Sequence, residues 1–460
     1  MKPAKGKVEF SCDDLRLERG FYWAKAMALS YVNEGTPAGD WYEAALPGRN
    51  AFCMRDVAHQ ATGAQVLGLA RHNLNMLGQF ARSVQPSRDY CGYWEINGDG
   101  KPAPIDYTDD SDFWYNLPAN FDVLDACWRM YLWTDEPDYL HDADFNRFYD
   151  WTVNQYVETW DRNGDGVPER QQPGSRRGLA SYDEGPGLDD ALMLSDLLAT
   201  QAAAYEAYGH LHREKYNRNR TAVFQARATE LRQRFENGWW DPAQQRFFNV
   251  LLRDGRFQYS EGSNPGHLPL YYRLLANPER IARHLELLGA TDPQVETLAY
   301  IPEVFYAYGR PDKAREYLLK LTDPGLGRRE YPEVGFSVVG AVASGLMGVQ
   351  PVAYQRTVRT LAQLPTGLHR AALDHLPVFD GEIQLEHTQS PGGSKSCLTN
   401  LVGTDLRWQA GFWGENLEVL CDGRKLETTA ERRWDGRAVT WAEVRLPLGH
   451  TAQLTARVKK

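Results

Sequence analysis

Two short acidic stretches hold the residues best suited to chemistry. Arg329-Glu330-Tyr331-Pro332-Glu333-Val334-Gly335-Phe336 sets two carboxylates, a tyrosine and a Gly-Phe step before an apolar run, Val338 to Leu346. Apolar residues at 338, 339, 342 and 346 keep the spacing of one buried helix face. The Pro and Gly ahead of that run mark a loop. These acids are therefore expected at a helix mouth, where a rigid scaffold carries its chemistry. Ser181-Tyr182-Asp183-Glu184-Gly185 repeats the arrangement earlier in the chain. Two acid-bearing loops suit cleavage of a glycosidic bond, which needs one carboxyl to protonate the leaving oxygen and a second carboxylate. Glu184 is the expected proton donor and Asp183 the alternative, with a pKa raised by burial or by the neighbouring charge. Glu330 and Glu333 are the candidates for the second role.

Three further constellations surround these acids. In the first, from Pro47 to Gln60, Arg49 and Arg55 offer cations, and Asp56 and His59 sit three apart at a helix start. Arg55 and His59 can donate to sugar hydroxyls while Asp56 accepts. Helix capping by Asp56 with an ion pair to Arg55 is the competing structural account. The second, Asp106 to Pro118, crowds four acids and four aromatics into one loop. Tyr107, Asp112, Trp114 and Asn116 are expected to line a polyol site beside Tyr182, and Asp110 to serve the turn itself. The third, Asp161-Arg162-Asn163-Gly164-Asp165-Gly166, opens like a calcium loop, but Gln172 stands where the closing Glu belongs. It reads as an Asx-rich turn, and no metal or cofactor is expected.

Composition narrows the classes. The chain has 460 residues, 42% hydrophobic and 24% charged, with a formal charge of −10. That balance suits a globular core with room for a second domain. It argues against nucleic acid, which needs clustered Lys and Arg. No apolar run approaches the roughly 20 residues of a membrane helix, and no signal peptide is read at the start; the compartment stays open, as does the oligomeric state. Six scattered cysteines form no CxxC pair, so free thiols are expected. The 14 Trp, 24 Tyr and 17 Phe serve packing between helices, and their faces also suit sugar rings.

The pattern along the chain changes once. Residues 1–50 read as a lead-in with one helical piece. Helical periodicity dominates from 51 to about 347, near 55–69, 71–80, 119–133, 144–159, 190–208, 212–236, 266–275, 279–288, 294–308, 312–321 and 334–347. Long loops rich in Gly, Pro, Asp and aromatics alternate with short turns. About twelve helices so connected suit an (α/α)6 toroid over 51–364. Alternating runs such as Glu382 to His387, with Gly-rich turns, predict a β-sandwich over 365–460.

The chain resembles the six-hairpin glycoside hydrolases, the clan of trehalases and processing α-glucosidases. Glu330-Tyr331-Pro332 followed by Gly335-Phe336 is similar to the trehalase motif of Glu-Tyr-Pro ahead of Gly-Phe-Gly, with the spacing one residue shorter and Ser337 in place of the second Gly. That resemblance places the catalytic base on Glu330, with Glu333 as rival, and Phe336 beside the substrate. The Asn163-Gly164-Asp165-Gly166 turn and the acidic loop after it resemble the region of the clan's general acid. The segments around Arg55 and Trp114 look closer to bacterial relatives, the β-glucuronidases of glycoside hydrolase family 154. A uronate carboxylate wants an Arg fork. The expectation is thus an inverting glycosidase acting on a glycan, with carbohydrate as its partner. A polysaccharide lyase using Tyr107, Tyr331 or His59 as base, and a sugar epimerase or glycan-binding protein, are the alternatives.

Overall fold

The computed structural model describes residues 5–173, 175–183, 188–216, 220–260, 266–390 and 392–458. Helices fill the first three quarters of the chain. The principal ones are α1 (Leu15–Ser30), α2 (Met54–Val66), α3 (Ala70–Ser83), α4 (Ala119–Thr134), α5 (Ala143–Trp151, running on to Trp160), α6 (Ser195–Tyr216), α7 (Arg220–Gly238), α8 (Leu268–Tyr271), α9 (Pro278–Gly289), α10 (Val295–Ala307), α11 (Pro311–Leu321) and α12 (Pro332–Gly340), with a further one-turn helix, Asp138–His141, between α4 and α5. Every second one is an inner helix. Neighbour follows neighbour in the order α2, α4, α6, α8, α10, α12 and back to α2. The helices between them pack outside; α1 lies on α12, α3 on α2, α7 on α6 and α11 on α10.

Local chemistry explains where these helices begin. Asp14 caps α1 by accepting from the Arg16 amide at 3.0 Å, and the same carboxylate takes Arg315 Nε at 2.8 Å, tying α1 to α11. Asn277 caps α9, whose first residue is Pro278. The helix expected near 334–347 starts two residues earlier, at Pro332. A proline costs nothing at a first helical position, where its missing N–H would have no partner. The Pro332–Gly335 step is therefore helix and not loop. It divides the acidic motif, leaving Glu330 ahead of α12 and Glu333 in its first turn. Glycine there serves close packing. A Cβ at Gly335 would meet the Ala24 carbonyl oxygen of α1 at 2.9 Å, and one at Gly63 of α2 would meet the Phe336 carbonyl oxygen at 2.0 Å. Backbone thus lies against backbone along α1, α12 and α2.

Two sheets follow. Their strands are β1 (Glu9–Cys12), β2 (Val349–Val352), β3 (Thr357–Leu361), β4 (Arg370–Val378), β5 (Gly381–Ser390), β6 (Gly393–Val402), β7 (Leu406–Trp413), β8 (Leu417–Cys421), β9 (Arg424–Lys425), β10 (Thr428–Arg432), β11 (Ala438–Leu446) and β12 (Thr451–Val458). One sheet runs β1-β4-β5-β6-β12-β8-β9 and is antiparallel throughout. The other runs β2-β3-β7-β11-β10, with β3 and β7 parallel. This is the large antiparallel body expected at the C-terminal end. Its strands start at Val349, ahead of the expected 365. The stretch read as a lead-in supplies both β1, paired as Glu9 with Asp374, and helix α1. One apolar cluster joins both regions, from Val57 and Phe336 to Leu373, Leu385 and Leu398. All six cysteines are free thiols. Among the described residues no helix is long and apolar enough to cross a membrane.

Candidate active site

The first turns of α2 and α12 meet, and their polar side chains meet with them. Glu333 Oε1 lies 2.6 Å from His59 Nδ1, and both side chains are fully buried. His59 stacks on Tyr300 of α10, with ring centroids 3.4 Å apart and planes 6° from parallel. The edge of Tyr271 closes on the imidazole at 5.8 Å. One turn earlier on α2, Asp56 accepts from the Tyr331 hydroxyl at 3.2 Å, from Arg55 at 3.4 Å and from the Cys53 thiol. Arg55 keeps part of its side chain open and lies 5.7 Å over the Tyr182 ring.

The 181–183 segment is anchored above these groups. Asp196, at the start of α6, accepts from the Ser181 hydroxyl at 2.7 Å and the Tyr182 amide at 2.8 Å. The Tyr182 hydroxyl reaches Asp122 of α4 at 3.1 Å, and Tyr272 donates to the other oxygen of that carboxylate. Trp94 stands 6.1 Å from the Tyr182 ring. The inner helices α2, α4, α6, α8, α10 and α12 thus all contribute to, or lead into, one polar centre.

Burial dominates its electrostatics. Burial and the Asp56 charge push Glu333 well above the usual carboxylate range, against the pull of Arg55. Burial drives His59 down to about 4, opposed by Glu303. Asp122 is raised to about 7 and Asp196 to about 6, both chiefly by burial. Glu95, paired at 3.1 Å with Arg49, is raised to about 8 by burial and by its hydrogen bond with Asp106. Carboxyls and a neutral imidazole packed this way can hold and hand over protons near neutrality.

The expected site residues divide clearly. Arg55, Asp56, His59, Tyr182 and Glu333 come together. Asp183 follows Tyr182, is exposed, and its amide bonds the Ser181 hydroxyl at 2.8 Å. Glu184 lies outside the described residues. Glu330 is exposed, and the Tyr31 hydroxyl donates to its carbonyl oxygen. Phe336 is fully buried, 4.6 Å from Tyr42, so it packs the core. Trp114 donates to Asn116 at 2.7 Å, and Asn116 in turn donates to the Ser181 carbonyl, so this pair supports the Tyr182 segment. Asp112 is exposed and holds Arg176 at 2.8 Å. Tyr107 donates to Asp110 at 2.6 Å. The 161–169 loop is a turn in which Asp161 accepts from the amides of Gly164, Asp165 and Gly166 at 2.8, 3.1 and 2.7 Å.

Several members of the centre escape sequence reasoning. Asp122, Glu303, Tyr271, Tyr272 and Tyr300 sit on helices recognised only by their apolar faces. Asp122 and Glu303 carried a signal, a charge amid apolar residues on a buried helix. Glu95 and Asp196 carried none.

No protein-family model and no curated protein matches the chain. Solved structures do. The α-L-rhamnosidase of Dictyoglumus thermophilum superposes with a TM-score of 0.65 at 11% identity, covering 98% of this chain and 50% of that one. A family 78 rhamnosidase of Bacillus sp. GL1 gives 0.66 at 14%, over 87% and 42% of the two chains. The α-L-rhamnosidase of Aspergillus terreus gives 0.62 at 14%, over 97% and 51%. The chain therefore spans about half the length of the structures it matches. At these identities the likeness is one of fold alone.

Proposed function

We propose that this six-hairpin chain is a glycosidase whose catalytic base is Glu333. The observation that carries the reading is the Glu333 carboxyl at the mouth of α12, held by His59 and beside Asp56 and Arg55. The closed neighbour order of the inner helices supports an (α/α)6 toroid, with the centre at one end of its axis. In that arrangement the 51–364 and 365–460 regions are the catalytic and sandwich parts, with α1 and β1 lent to them by the lead-in.

Each group has a task. Glu333 takes a proton from the attacking water. The acidic segment after Tyr182, with Glu184 first and Asp183 second, protonates the leaving oxygen from the other face, giving inversion. Asp56 balances Arg55, and Tyr331 holds Asp56 in place. Tyr182 and Trp94 offer ring faces to the sugar. Of the three bases a lyase could use, Tyr107, Tyr331 and His59, burial and the Asp56 charge count against Tyr331 by raising its hydroxyl.

Arg55 supports a uronate as the sugar. Arg49, Arg176 and Arg55 are each paired with a carboxylate, and Arg55 also keeps a buried Nε without a hydrogen-bond partner among the described residues. Aryl β-glucuronides are thus the first substrates to test, and aryl α-L-rhamnosides the second. Release of the aryl group by the wild type, lost in Glu333→Gln at unchanged melting temperature, is the expected result. Turnover that survives Glu333→Gln on every substrate would sink the assignment. The anomer formed first, read by proton NMR, distinguishes inversion from retention.

A further inference from the structure

His59 presents two nitrogens, and hydrolysis at Glu333 uses one. Nε2 is buried and has no hydrogen-bonding partner among the described residues. Glu303 of α10 comes three residues, about one helical turn, after the Tyr300 that stacks on the imidazole. A Cβ built on Gly340 would stand 3.2 Å from the Gly63 amide and 3.4 Å from Glu303 Oε1. Gly63 is one helical turn beyond His59 on α2, and Gly340 is two turns beyond Glu333 on α12. Glu303 therefore sits further along the helix axes than the imidazole, away from Glu333.

The other charges around the ring are arranged differently. Arg55 and Asp56 share its own helix, toward the open end. Arg129 of α4 is held by Asp125 at 2.8 Å and the Ala58 carbonyl at 2.8 Å. His267, ahead of α8, faces Tyr300 with ring centroids 4.7 Å apart. Among all these charged groups, Glu303 acts most strongly on His59.

We propose that Glu303 is a positioning residue that sets the tautomer of His59. Glu303 carries a proton and offers it to Nε2 across one water. The ring's single hydrogen then resides on Nδ1 and points at Glu333. A donor at 2.6 Å favours the ionised carboxylate. This is what a base in so buried a place requires, and burial shifts the Glu303 carboxyl upward, toward its protonated form. The inference rests on Glu333 as the base, but its first test needs no turnover.

That test is nitrogen-15 NMR of the imidazoles at neutral pH in wild type, Glu303→Gln and Glu303→Ala, with thermal melting to confirm folding. A Gln side chain still has N–H donors, and Ala has none. Wild type and Glu303→Gln are expected to show His59 protonated on Nδ1, and Glu303→Ala on Nε2. The same tautomer in wild type and Glu303→Ala, or Glu303→Gln matching Glu303→Ala, overturns the proposal. Where turnover is found, the acid limb of kcat/KM should move up by about one pH unit in Glu303→Ala, a loss of about tenfold below the limb, and recover in Glu303→Gln. Absence of glycosidase activity would remove the reading of Glu333 and leave the tautomer result standing.

Discussion

Glu330 and Glu333 stand three residues apart, one in water and one in the core. Replacing Glu333 by Gln should lower kcat by roughly 10²–10⁴-fold, the usual range for a lost acid or base. Glu330→Gln should change it by no more than about twofold, as for other exposed sites. Parallel assays of the two variants on one aryl glycoside check this, and equal losses would reverse the assignment. The sequence offered both residues as an acidic motif. It did not distinguish them, because the choice depends on where a proline lets the helix begin. Asp122 and Glu303 were legible only as charges out of place on an apolar face. His59 was legible as a donor, but its partnership with Glu333 spans 274 positions of chain.

At the scale of elements, the joint between α2 and α12 sets the centre. Gly63→Ala would drive a methyl into the Phe336 carbonyl oxygen, with 2.0 Å where contact needs well over 3. Separating the helices should cost about 1–3 kcal/mol, or more if the backbone resists. It should also cut turnover by parting His59 from Glu333. A melting curve and an activity assay on the same sample would show both effects, and an unchanged melting temperature would contradict the close approach. The strand region has a different sensitivity. His387 of β5 is buried, with Nδ1 accepting from Ser396 at 2.7 Å and Nε2 donating to the Met347 carbonyl at 3.1 Å. Burial lowers its pKa to about 4. Its neutral form is the folded form, so this stability is complete above the unfolded value near 6.5 and drains away as pH falls toward 4. The advantage of wild type over His387→Gln should therefore narrow by up to ~3 kcal/mol between pH 7 and pH 4, as read from urea midpoints. A gap independent of pH would mean that the ring is charged when folded. Helix positions were readable here from apolar period, and strands from alternation. Strand order was not, because pairing is non-local.

For the whole molecule, the core is continuous, from Val57 and Phe336 in the helices to Leu385 and Leu398 in the strands. Removing residues 5–13 deletes β1 and with it four pairings to β4. The shortened chain should melt at lower temperature and still in one transition, because no boundary of the core isolates the sandwich. Two separate calorimetric peaks in the full chain would show instead that the parts unfold independently. The broad sequence division into helical and β texture was sound at this scale. Its boundaries were not legible, since a four-residue strand at the far end of the chain carries no mark of the sheet it joins.

That first strand has a consequence for how the protein is made. Glu9 and Asp374 pair, yet about 360 residues of synthesis separate them. At roughly 5–20 residues per second, β1 waits roughly 20–70 s on the ribosome for its partner. During that interval the helices can assemble on α1 while the strand ahead of it keeps an unmatched edge. The sheet is complete only once Thr451–Val458 has been made, and until Arg370–Val378 emerges the edge of Glu9–Cys12 that pairs with it stays open.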